Sequence, residues 1–204
     1  MKLYYAPGVC SLSPHIVLRE AGTDFTIEKV ETATRRTETG DDFAAINPKG
    51  YVPALVIDGG EVITEGAAII QYIADRFPAA NLAPGYGTLA RTRLQEQLNF
   101  IASEVHKAFY PLFNSAASAE AKAAAIVTVS KRLDYIENLL SDGRPYLLGG
   151  TFSIADAYLF TVASWTGPTG ISLERWPHLT AYLKRIGDRP AVRAAMQAEG
   201  LIAA

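Results

Sequence analysis

The sequence predicts an α/β domain with a mixed sheet, followed by an all-α domain. Residues 2–76 alternate strand and helix patterns, whereas almost everything after Pro78 has its apolar residues at helical spacing. Between these stretches lies a short segment of Asn, Pro and Gly residues, which are turn formers typical of a linker. We therefore expect domains at 1–78 and 88–204, joined by a linker at 79–87.

The first domain has the order strand, helix, strand, helix, strand, strand, helix. These elements are expected near 2–5, 14–21, 25–30, 41–46, 54–57, 62–64 and 65–76. Parallel neighbours need a crossover helix, whereas the last two strands are joined by the hairpin turn Asp58-Gly59-Gly60 and pair antiparallel. The order therefore predicts a mixed sheet with helices on its faces.

The second domain is predicted to contain helices only. They are expected near 89–108, 119–140, 154–165, 177–186 and 190–198. Ser153 and Asp156 stand before an apolar run with the spacing of a capping box, in which a serine and an acidic residue bond the first turn of a helix. We assign these two residues to folding rather than to chemistry.

Composition excludes several classes of function. The 204 residues are 49% hydrophobic, enough for a buried core, and the formal net charge of -2 argues against binding to nucleic acid through phosphates. No apolar stretch is long enough to cross a bilayer, and the N-terminus enters a strand at once, unlike a signal peptide. We therefore expect a cytoplasmic protein. One cysteine, three histidines and no close cluster of such residues predict no metal site.

Cys10 is the single cysteine, so it has no internal disulfide partner. It follows the first strand and a Pro7-Gly8 turn. It precedes a helix for which Ser13 is the expected N-cap and Pro14 a first-turn residue. Free backbone N–H groups at a helix N-terminus stabilise an anion and lower the pKa of a thiol placed there. Cys10 is therefore either a reactive thiol, which its position favours, or a small buried side chain.

Val52-Pro53 stands directly before the strand expected at 54–57. A proline is tolerated at the first residue of a strand, and a cis bond to Pro53 would turn the N–H and C=O of Val52 outward. A peptide ligand could then pair with Val52 as an added strand. The alternative is a plain turn at the edge of the sheet.

Glu65-Gly66 opens the last helix of the first domain. Glycine permits close approach of a ligand to the backbone, and the adjacent free N–H groups suit a carboxylate. Glu65 could bind a ligand ammonium group. Alternatively, an acidic residue in the first turn only complements the helix dipole.

The first helix of the second domain carries several polar residues on one face. Asn99, Ser103, His106 and Lys107 recur at steps of four, three and one, with Glu104 alongside. Such a face is either a solvated surface or part of a binding site.

Together these motifs resemble the cytosolic glutathione transferases. The resemblance rests on Cys10, Val52-Pro53, Glu65-Gly66, the helical second half and the capping box of Ser153 and Asp156. It covers essentially the whole chain. Because a cysteine occupies the place of an activating tyrosine or serine, the chain is similar to the bacterial beta class in particular.

The resemblance implies a thioredoxin-like first domain that holds glutathione and a helical second domain that supplies much of the electrophile pocket. It also implies glutathione as co-substrate, no tightly bound cofactor, and a homodimer. The implied catalytic residues are Cys10 and His106. The implied glutathione-binding residues are Cys10, Arg35, Tyr51, Val52, Pro53, Glu65, Gly66, Asn99, Ser103, Glu104, Val105, His106 and Lys107.

Several of these residues have specific roles by resemblance. Val52 would pair with the cysteinyl backbone, while Glu65 and Gly66 would hold the γ-glutamyl end. Arg35, where the family pattern has a lysine, would meet the glycyl carboxylate as a fork. His106 would hydrogen-bond the sulfur or assist its ionisation.

Two further assignments concern the electrophile and a partner subunit. Glu104 would reach the ligand across a dimer interface. The pocket walls are expected to include Tyr4 or Tyr5, Phe109, Phe113, Trp165 and Thr166. No motif surrounds His15 or His178, and we interpret both as structural.

The predicted function is transfer of the glutathione thiolate to small hydrophobic electrophiles. Cys10 would either stabilise that thiolate or form a mixed disulfide with glutathione, and Ser11 could donate the hydrogen bond instead. Alternative functions are a glutathione-dependent thiol transferase, peroxidase or reductive dehalogenase that uses Cys10. A protein that binds glutathione or hydrophobic ligands without turnover is the alternative from a different class.

Overall fold

A computed structural model describes residues 1–203, which form two compact units. The first unit contains Met1–Ala83 together with the chain from Asp188 onward, and the second is Pro84–Gly187. This division differs from the expected one at its C-terminal end, where the last helix groups with the first unit rather than with the helical domain. The physical reason is a helix pair, because the last helix packs against the first helix of the chain.

The first unit is built on a mixed sheet, as the order of elements predicts. Its strands are β1 (Lys2–Tyr5), β2 (Thr26–Glu31), β3 (Arg36–Thr37), β4 (Ala54–Val56) and β5 (Val62–Thr64). They lie in the order β3-β2-β1-β4-β5. β1 runs parallel to β2 and antiparallel to β4, and the β4–β5 and β2–β3 pairs are antiparallel. The two-residue strand β3 has no alternating pattern and is absent from the sequence prediction.

The helices lie close to their expected positions, except that the short helix Tyr110–Phe113 has no counterpart in the sequence prediction. In chain order they are α1 (Leu12–Glu20), α2 (Phe43–Ile46), α3 (Gly66–Arg76), α4 (Leu89–Phe100), α5 (His106–Ala108), α6 (Tyr110–Phe113), α7 (Ala119–Leu140), α8 (Ile154–Ala163), α9 (Pro177–Gly187) and α10 (Pro190–Ala198). A π-helical turn at Ile101–Val105 connects α4 with α5, and short 3-10 turns occupy Pro78–Ala80 and Ser164–Thr166.

The start of α1 differs from the prediction that Ser13 is its N-cap. The helix begins at Leu12, and Ser11 occupies the cap position without a side-chain capping bond. The backbone is already coiled there, because the N–H groups of Leu12 and Ser13 donate to the carbonyls of Val9 and Cys10. Ser13 lies inside the helix and its side chain is buried.

The apolar core of each unit follows the predicted periodicity. In the first unit, side chains of β1, β4, α1 and α3 are fully buried, among them Leu3, Leu55, Ile16 and Ile73. In the second unit, α8 is buried along its whole length. A helix that is apolar on all sides must be enclosed by others, which explains why α8 is central to the helical unit.

The capping box at the start of α8 is confirmed. The backbone N–H and the hydroxyl of Ser153 each donate to Oδ2 of Asp156 at 2.8 Å. The other carboxylate oxygen of Asp156 accepts from the Leu147 N–H and the Tyr182 hydroxyl. Asp156 therefore stabilises the start of α8. It also links this helix by hydrogen bonds to the preceding loop and to α9.

No helix within residues 1–203 combines the length and the apolar character that a membrane crossing requires.

Candidate functional site

Cys10 lies in the loop between β1 and α1, where its side chain is partly exposed. Its thiol donates a hydrogen bond to the carbonyl oxygen of Val52, with 3.4 Å between Sγ and oxygen. The thiol is thus in contact with the backbone of the segment that precedes β4.

The bond between Val52 and Pro53 is cis, as the position of this proline before a strand suggests. Val52 is 5% exposed and packs in a cluster with Tyr4 and Phe43, which holds this turn beside β4. The side chain is thus anchored, while the Val52 carbonyl is directed at the Cys10 thiol. The predicted ligand-pairing residue and the predicted reactive thiol therefore lie in direct contact.

Arg35 is brought next to the same turn. It adopts a positive φ of 57°, and its exposed guanidinium group lies over Gly50. A Cβ atom added at Gly50 would lie 3.4 Å from Nη1 of Arg35. Gly50 also has a φ of 74°, which L side chains rarely adopt. This glycine accordingly lets the Arg35 cation approach the segment that leads to Val52.

Glu65 is the N-cap residue of α3, and its side chain is 55% exposed. Its Oε1 atom accepts a hydrogen bond from the Tyr51 hydroxyl at 3.1 Å and a short one from the ammonium group of Lys49. Lys49 also donates to the Thr64 hydroxyl at 3.1 Å. Glu65 thus already binds an ammonium group, the type of partner predicted for it, but the group belongs to a neighbouring lysine.

The backbone of Glu65 is strained. Its φ of 69° and ψ of 112° lie outside the regions that residues with a side chain favour. Such strain is held by the surrounding structure and is common where a ligand must be positioned. The next residue, Gly66, leaves space beside Pro53. A Cβ atom added at Gly66 would lie 3.8 Å from the Cγ atom of Pro53.

A network of hydrogen bonds to buried side chains supports the loop that contains Cys10. Gly8, with a φ of 70°, donates its N–H to Oε2 of Glu199 at 2.9 Å. Nδ1 of His15 lies 2.8 Å from Oε1 of Glu199, and Arg19 donates to Nε2 of His15 at 3.0 Å. Since Nε2 accepts, the imidazole proton lies on Nδ1 and is donated to Glu199. His15 thus has the structural role predicted for it.

Ser11 has no vacant hydroxyl for a ligand sulfur. It is fully buried. Its hydroxyl donates to the carbonyl of Ala6 and accepts from the Ala6 N–H, each at 3.1 Å. The expectation that Ser11 could replace Cys10 as the hydrogen-bond donor is therefore not supported by its surroundings.

In the second unit, the predicted binding residues lie on and around the π-helical turn. Asn99, Ser103 and Lys107 are exposed, Glu104 and His106 are partly buried, and Val105 is fully buried. The His106 N–H bonds to the carbonyl of Ile101, five residues back, which is the defining contact of a π turn. Such turns are frequent at functional sites, because they change the direction of side chains along a helix.

Contacts within the second unit restrict three of these residues. The Ser103 hydroxyl donates to the carbonyl of Asn99 at 2.8 Å. Glu104 forms an ion pair with Arg132 at 2.6 Å. The side chain of Val105 is part of the core, so that it can meet a ligand only through its backbone.

His106 is surrounded by aromatic rings. Its Nδ1 atom lies 3.0 Å from the Tyr158 hydroxyl, and its ring meets that of Trp165 edge-on with centroids 4.8 Å apart. Burial lowers the pKa of His106 from 6.5 to about 4, and the positive charge of Lys107 acts in the same direction. His106 is therefore neutral at physiological pH.

The aromatic residues expected in pocket walls fall into two groups. In the second unit, Phe109 and Phe113 both meet Trp165 edge-on, and Phe113 is 52% exposed whereas Phe109 is fully buried. In the first unit, Tyr4 and Tyr5 are both buried; Tyr4 belongs to the cluster with Val52 and Phe43. Burial raises the pKa of Tyr5, so its phenol is not a base at neutral pH.

Three residues with contacts near the site escape the sequence prediction. Lys49 reaches Glu65 across 16 positions of the chain, and Glu199 reaches Gly8 across 191, so local patterns contain no sign of either contact. Tyr158 could have been found, because a phenol in an otherwise apolar helix needs a hydrogen-bond partner. Across residues 1–203 no group of three or more His, Cys, Asp or Glu side chains could hold a metal ion.

Comparison with known proteins gives the same family for both parts of the chain. The family model for the N-terminal domain of glutathione S-transferases matches residues 9–76. The family model for their C-terminal domain matches residues 100–190. Glutathione S-transferase GstA of Escherichia coli O157:H7 is 45% identical over 201 residues, which is 98% of this chain and 100% of that protein.

Solved structures agree with this result. A sphingomonad glutathione S-transferase complexed with glutathione is 51% identical, with a TM-score of 0.95 over 99% of this chain and 100% of that one. A bacterial beta-class glutathione S-transferase from Sphingomonas chungbukensis is also 51% identical, with a TM-score of 0.96 and the same coverage. The fold, the cysteine before α1 and these similarities lead to one conclusion: the chain belongs to the glutathione S-transferase family and resembles its bacterial beta class.

Proposed function

We propose that this protein is an enzyme that binds glutathione in its first unit and transfers the glutathione sulfur to small hydrophobic electrophiles. The observation that carries the proposal is the contact of Cys10 with the Val52 carbonyl, beside the cis bond to Pro53. A peptide that pairs with Val52 as an added strand would bring its own central residue next to the Cys10 thiol. In glutathione that central residue is the cysteine.

The charges of the first unit suit the two ends of glutathione. Glu65 offers a carboxylate to the γ-glutamyl ammonium group, and the N-terminus of α3 at Gly66 suits its carboxylate. At the other end, Arg35 offers a fork of N–H donors to the glycyl carboxylate. Tyr51 supports Glu65 through its hydroxyl. Lys49 would either share Glu65 with the ligand ammonium group or move toward the ligand carboxylate.

The second unit supplies the remaining assignments. Family resemblance supports contacts with glutathione from Asn99, Ser103, Glu104, Val105, His106 and Lys107. The edge-on cluster of Phe109, Phe113 and Trp165 is apolar, as a wall for a hydrophobic electrophile must be. Glu104 forms an ion pair with Arg132. Its contact with the ligand across a dimer interface stays a prediction.

The reaction has a simple balance. Glutathione loses its thiol proton to solvent, and the resulting thiolate attacks an electrophilic carbon. A C–S bond forms while the bond from that carbon to its leaving group, such as chloride, breaks with both electrons on the leaving group. Binding both reactants together replaces a rare encounter with a local attack. No resident cofactor is needed for this chemistry.

The test compares the wild-type protein with Cys10→Ala in two assays, conjugation of glutathione to chlorodinitrobenzene and reduction of a glutathione mixed disulfide. We expect the variant to lose a large part of at least one activity. Full retention of both would remove Cys10 from the catalytic residues. A Ser130→Ala variant, on the partly buried surface of α7, serves as the control.

A second activity at the same site is favoured by the partly exposed thiol of Cys10. In glutathione-dependent thiol transfer, the Cys10 thiolate attacks the glutathione sulfur of a mixed disulfide and releases the other thiolate. A second glutathione then reduces the Cys10–glutathione disulfide and leaves as oxidised glutathione. When trapped, the Cys10–glutathione disulfide would be detected in the mass spectrum as one glutathione added per chain. Treatment with a reducing agent would remove this added mass.

The proposal includes a homodimer located in the cytoplasm, both supported by the family resemblance. A free thiol at the site also requires a reducing compartment to stay reduced. Light scattering of the purified protein tests the oligomeric state, because a monomer mass at micromolar concentration would contradict it.

A further inference from the structure

His106 is held in the second unit by two aromatic side chains. Its Nδ1 atom lies 3.0 Å from the hydroxyl oxygen of Tyr158. The ring planes of His106 and Tyr158 are at 90°, and those of His106 and Trp165 are at 72°. Tyr158 is 4% exposed and Trp165 is 8% exposed. The imidazole is thus packed against buried rings and has one defined polar partner at Nδ1.

The hydrogen bond between His106 and Tyr158 can be drawn in two directions. A neutral imidazole has one N–H donor and one unprotonated acceptor nitrogen. The phenol hydroxyl is a stronger acid than an imidazole N–H, and the unprotonated imidazole nitrogen is a stronger base than a phenol oxygen. The better donor meets the better acceptor when the Tyr158 hydroxyl donates to Nδ1. The proton of His106 then lies on Nε2.

We propose that Tyr158 is a positioning residue that fixes the His106 proton on Nε2, so that His106 acts on its ligand as a hydrogen-bond donor and not as a proton acceptor. The consequence for catalysis rests on the proposed function. An Nε2–H group donates to the glutathione thiolate and stabilises its negative charge. Of the two roles that the sequence leaves open for His106, a bond to the sulfur or help in its ionisation by proton removal, this assignment selects the first.

The environment of His106 agrees with a donor role. Burial and the positive charge of Lys107 hold the pKa of the imidazole at about 4. A base with so low a pKa is a poor acceptor for the proton of a thiol, whose ordinary pKa is about 8.5. A neutral N–H donor, in contrast, is present over the whole physiological range and needs no protonation step.

The direct test is the tautomer of His106 in the wild-type protein. Histidine labelled with ¹⁵N gives distinct nitrogen shifts for protonated and unprotonated ring positions, and the His106 signals are assigned by their loss in His106→Gln. We expect an unprotonated Nδ1 and a protonated Nε2 at neutral pH. A protonated Nδ1 in the wild-type protein would overturn the proposal, and this result requires no Tyr158 variant to fold.

The second test is Tyr158→Phe, which keeps the ring and removes the hydroxyl. We expect mixed tautomers in the spectrum and a loss of about two- to tenfold in kcat for conjugation, the range expected when one neutral hydrogen bond is removed. The KM for glutathione should change little, since Tyr158 bonds to His106. Tyr135→Phe, an exposed tyrosine of the same unit that packs on Phe100, is the matched control.

The outcomes separate this inference from the proposed function. If the protein has no transferase activity but His106 is protonated on Nε2, only the proposed function fails. If the protein is active and a folded Tyr158→Phe variant keeps both the wild-type tautomer and the wild-type kcat, the inference fails and the proposed function stands.

Discussion

Glu65 combines an exposed carboxylate with a strained backbone. Its positive φ would be accommodated better by glycine, yet the position holds a charged residue whose Oε1 atom accepts from Lys49 and Tyr51. The combination of strain, charge and exposure is what a ligand-positioning residue would show.

Replacing Glu65 by glutamine should weaken glutathione binding. The amide keeps the shape of the side chain but loses the charge that would meet the γ-glutamyl ammonium group. Loss of a charged hydrogen bond corresponds to about a 10- to 100-fold increase in Kd, measured by titration calorimetry. Glu61→Gln, in the exposed turn before β5, should bind as the wild type does. Equal affinity for glutathione in both variants would contradict the role of Glu65.

His106 makes the stability of the protein depend on pH in a predictable direction. The imidazole has a pKa of about 4 in the folded chain and near 6.5 when unfolded. Between these values the unfolded chain binds a proton that the folded chain does not, so this group lowers stability as pH falls from 6.5 toward 4. Below about 4 the difference no longer grows.

The His106→Gln variant should therefore lose less stability than the wild type on acidification. From pH 7 to pH 5 we expect the wild type to lose about 2 kcal/mol more than the variant in urea unfolding. His178→Gln, at an exposed position on α9, is the control and should behave as the wild type does. Parallel pH profiles for the wild type and His106→Gln would show that His106 is not desolvated.

Among the helices, α8 depends on one buried carboxylate at its start. Asp156 is fully buried and accepts hydrogen bonds from Leu147, Ser153 and Tyr182. Burial raises the pKa of Asp156, although the hydrogen bonds from Leu147, Ser153 and Tyr182 oppose this effect. The cost of burying the carboxylate is offset by these bonds, which join a loop, α8 and α9.

Asp156→Ala should destabilise the protein by about 3 kcal/mol or more, because buried donors lose their acceptor and α8 loses its cap. The measurement is the free energy of unfolding in urea. Glu174→Ala, at an exposed position of the same unit, should change it little. Near-normal activity per folded molecule of Asp156→Ala would agree with a folding role. A free energy of unfolding of Asp156→Ala equal to that of the wild type would refute this role.

Elements were largely predictable from the sequence where local patterns determine them. The apolar spacing of α3 and α7 and the Gly59-Gly60 turn between β4 and β5 each have a local signature. β3 has none, because two residues cannot show an alternation. α1 starts before the predicted N-cap Ser13, because the backbone is already coiled at Leu12. Ser11, in the observed cap position, binds Ala6 through its hydroxyl instead of capping the helix, and a sequence pattern does not reveal that partner.

The two ends of the chain are in contact with each other. Helix α10 packs against α1, and Glu199, just after it, binds Gly8 and His15 under the Cys10 loop. Leu201 adds an apolar contact, since a Cβ at Gly8 would lie 3.1 Å from its side chain. The C-terminal residues therefore stabilise the loop that presents the thiol.

Glu199→Gln should destabilise the protein by about 1 to 3 kcal/mol, because one of the two oxygens is replaced by an NH₂ group that faces a donor. The Gly8 N–H or the His15 Nδ1–H then loses its acceptor. Urea unfolding gives the stability, and the rate of Cys10 alkylation should also change as the loop loosens. Glu61→Gln is again the control, and wild-type values for both quantities in Glu199→Gln would contradict this network.

The candidate site was predictable in part. Cys10, Val52 and Glu65 stand at element boundaries that sequence patterns reveal, and the structure brings Cys10 and Val52 into contact. The partners Lys49 and Glu199 come from other parts of the chain. Their contacts depend on tertiary packing, which a single sequence does not contain.

We claim that this protein joins glutathione to an electrophilic carbon. The most direct measurement is the initial rate of thioether formation from glutathione and chlorodinitrobenzene by the wild-type protein, with the product identified by mass. We predict a rate proportional to protein concentration, saturable in glutathione and well above the spontaneous reaction. A rate equal to the spontaneous one at every protein concentration, with this and other small hydrophobic electrophiles, would contradict the claim.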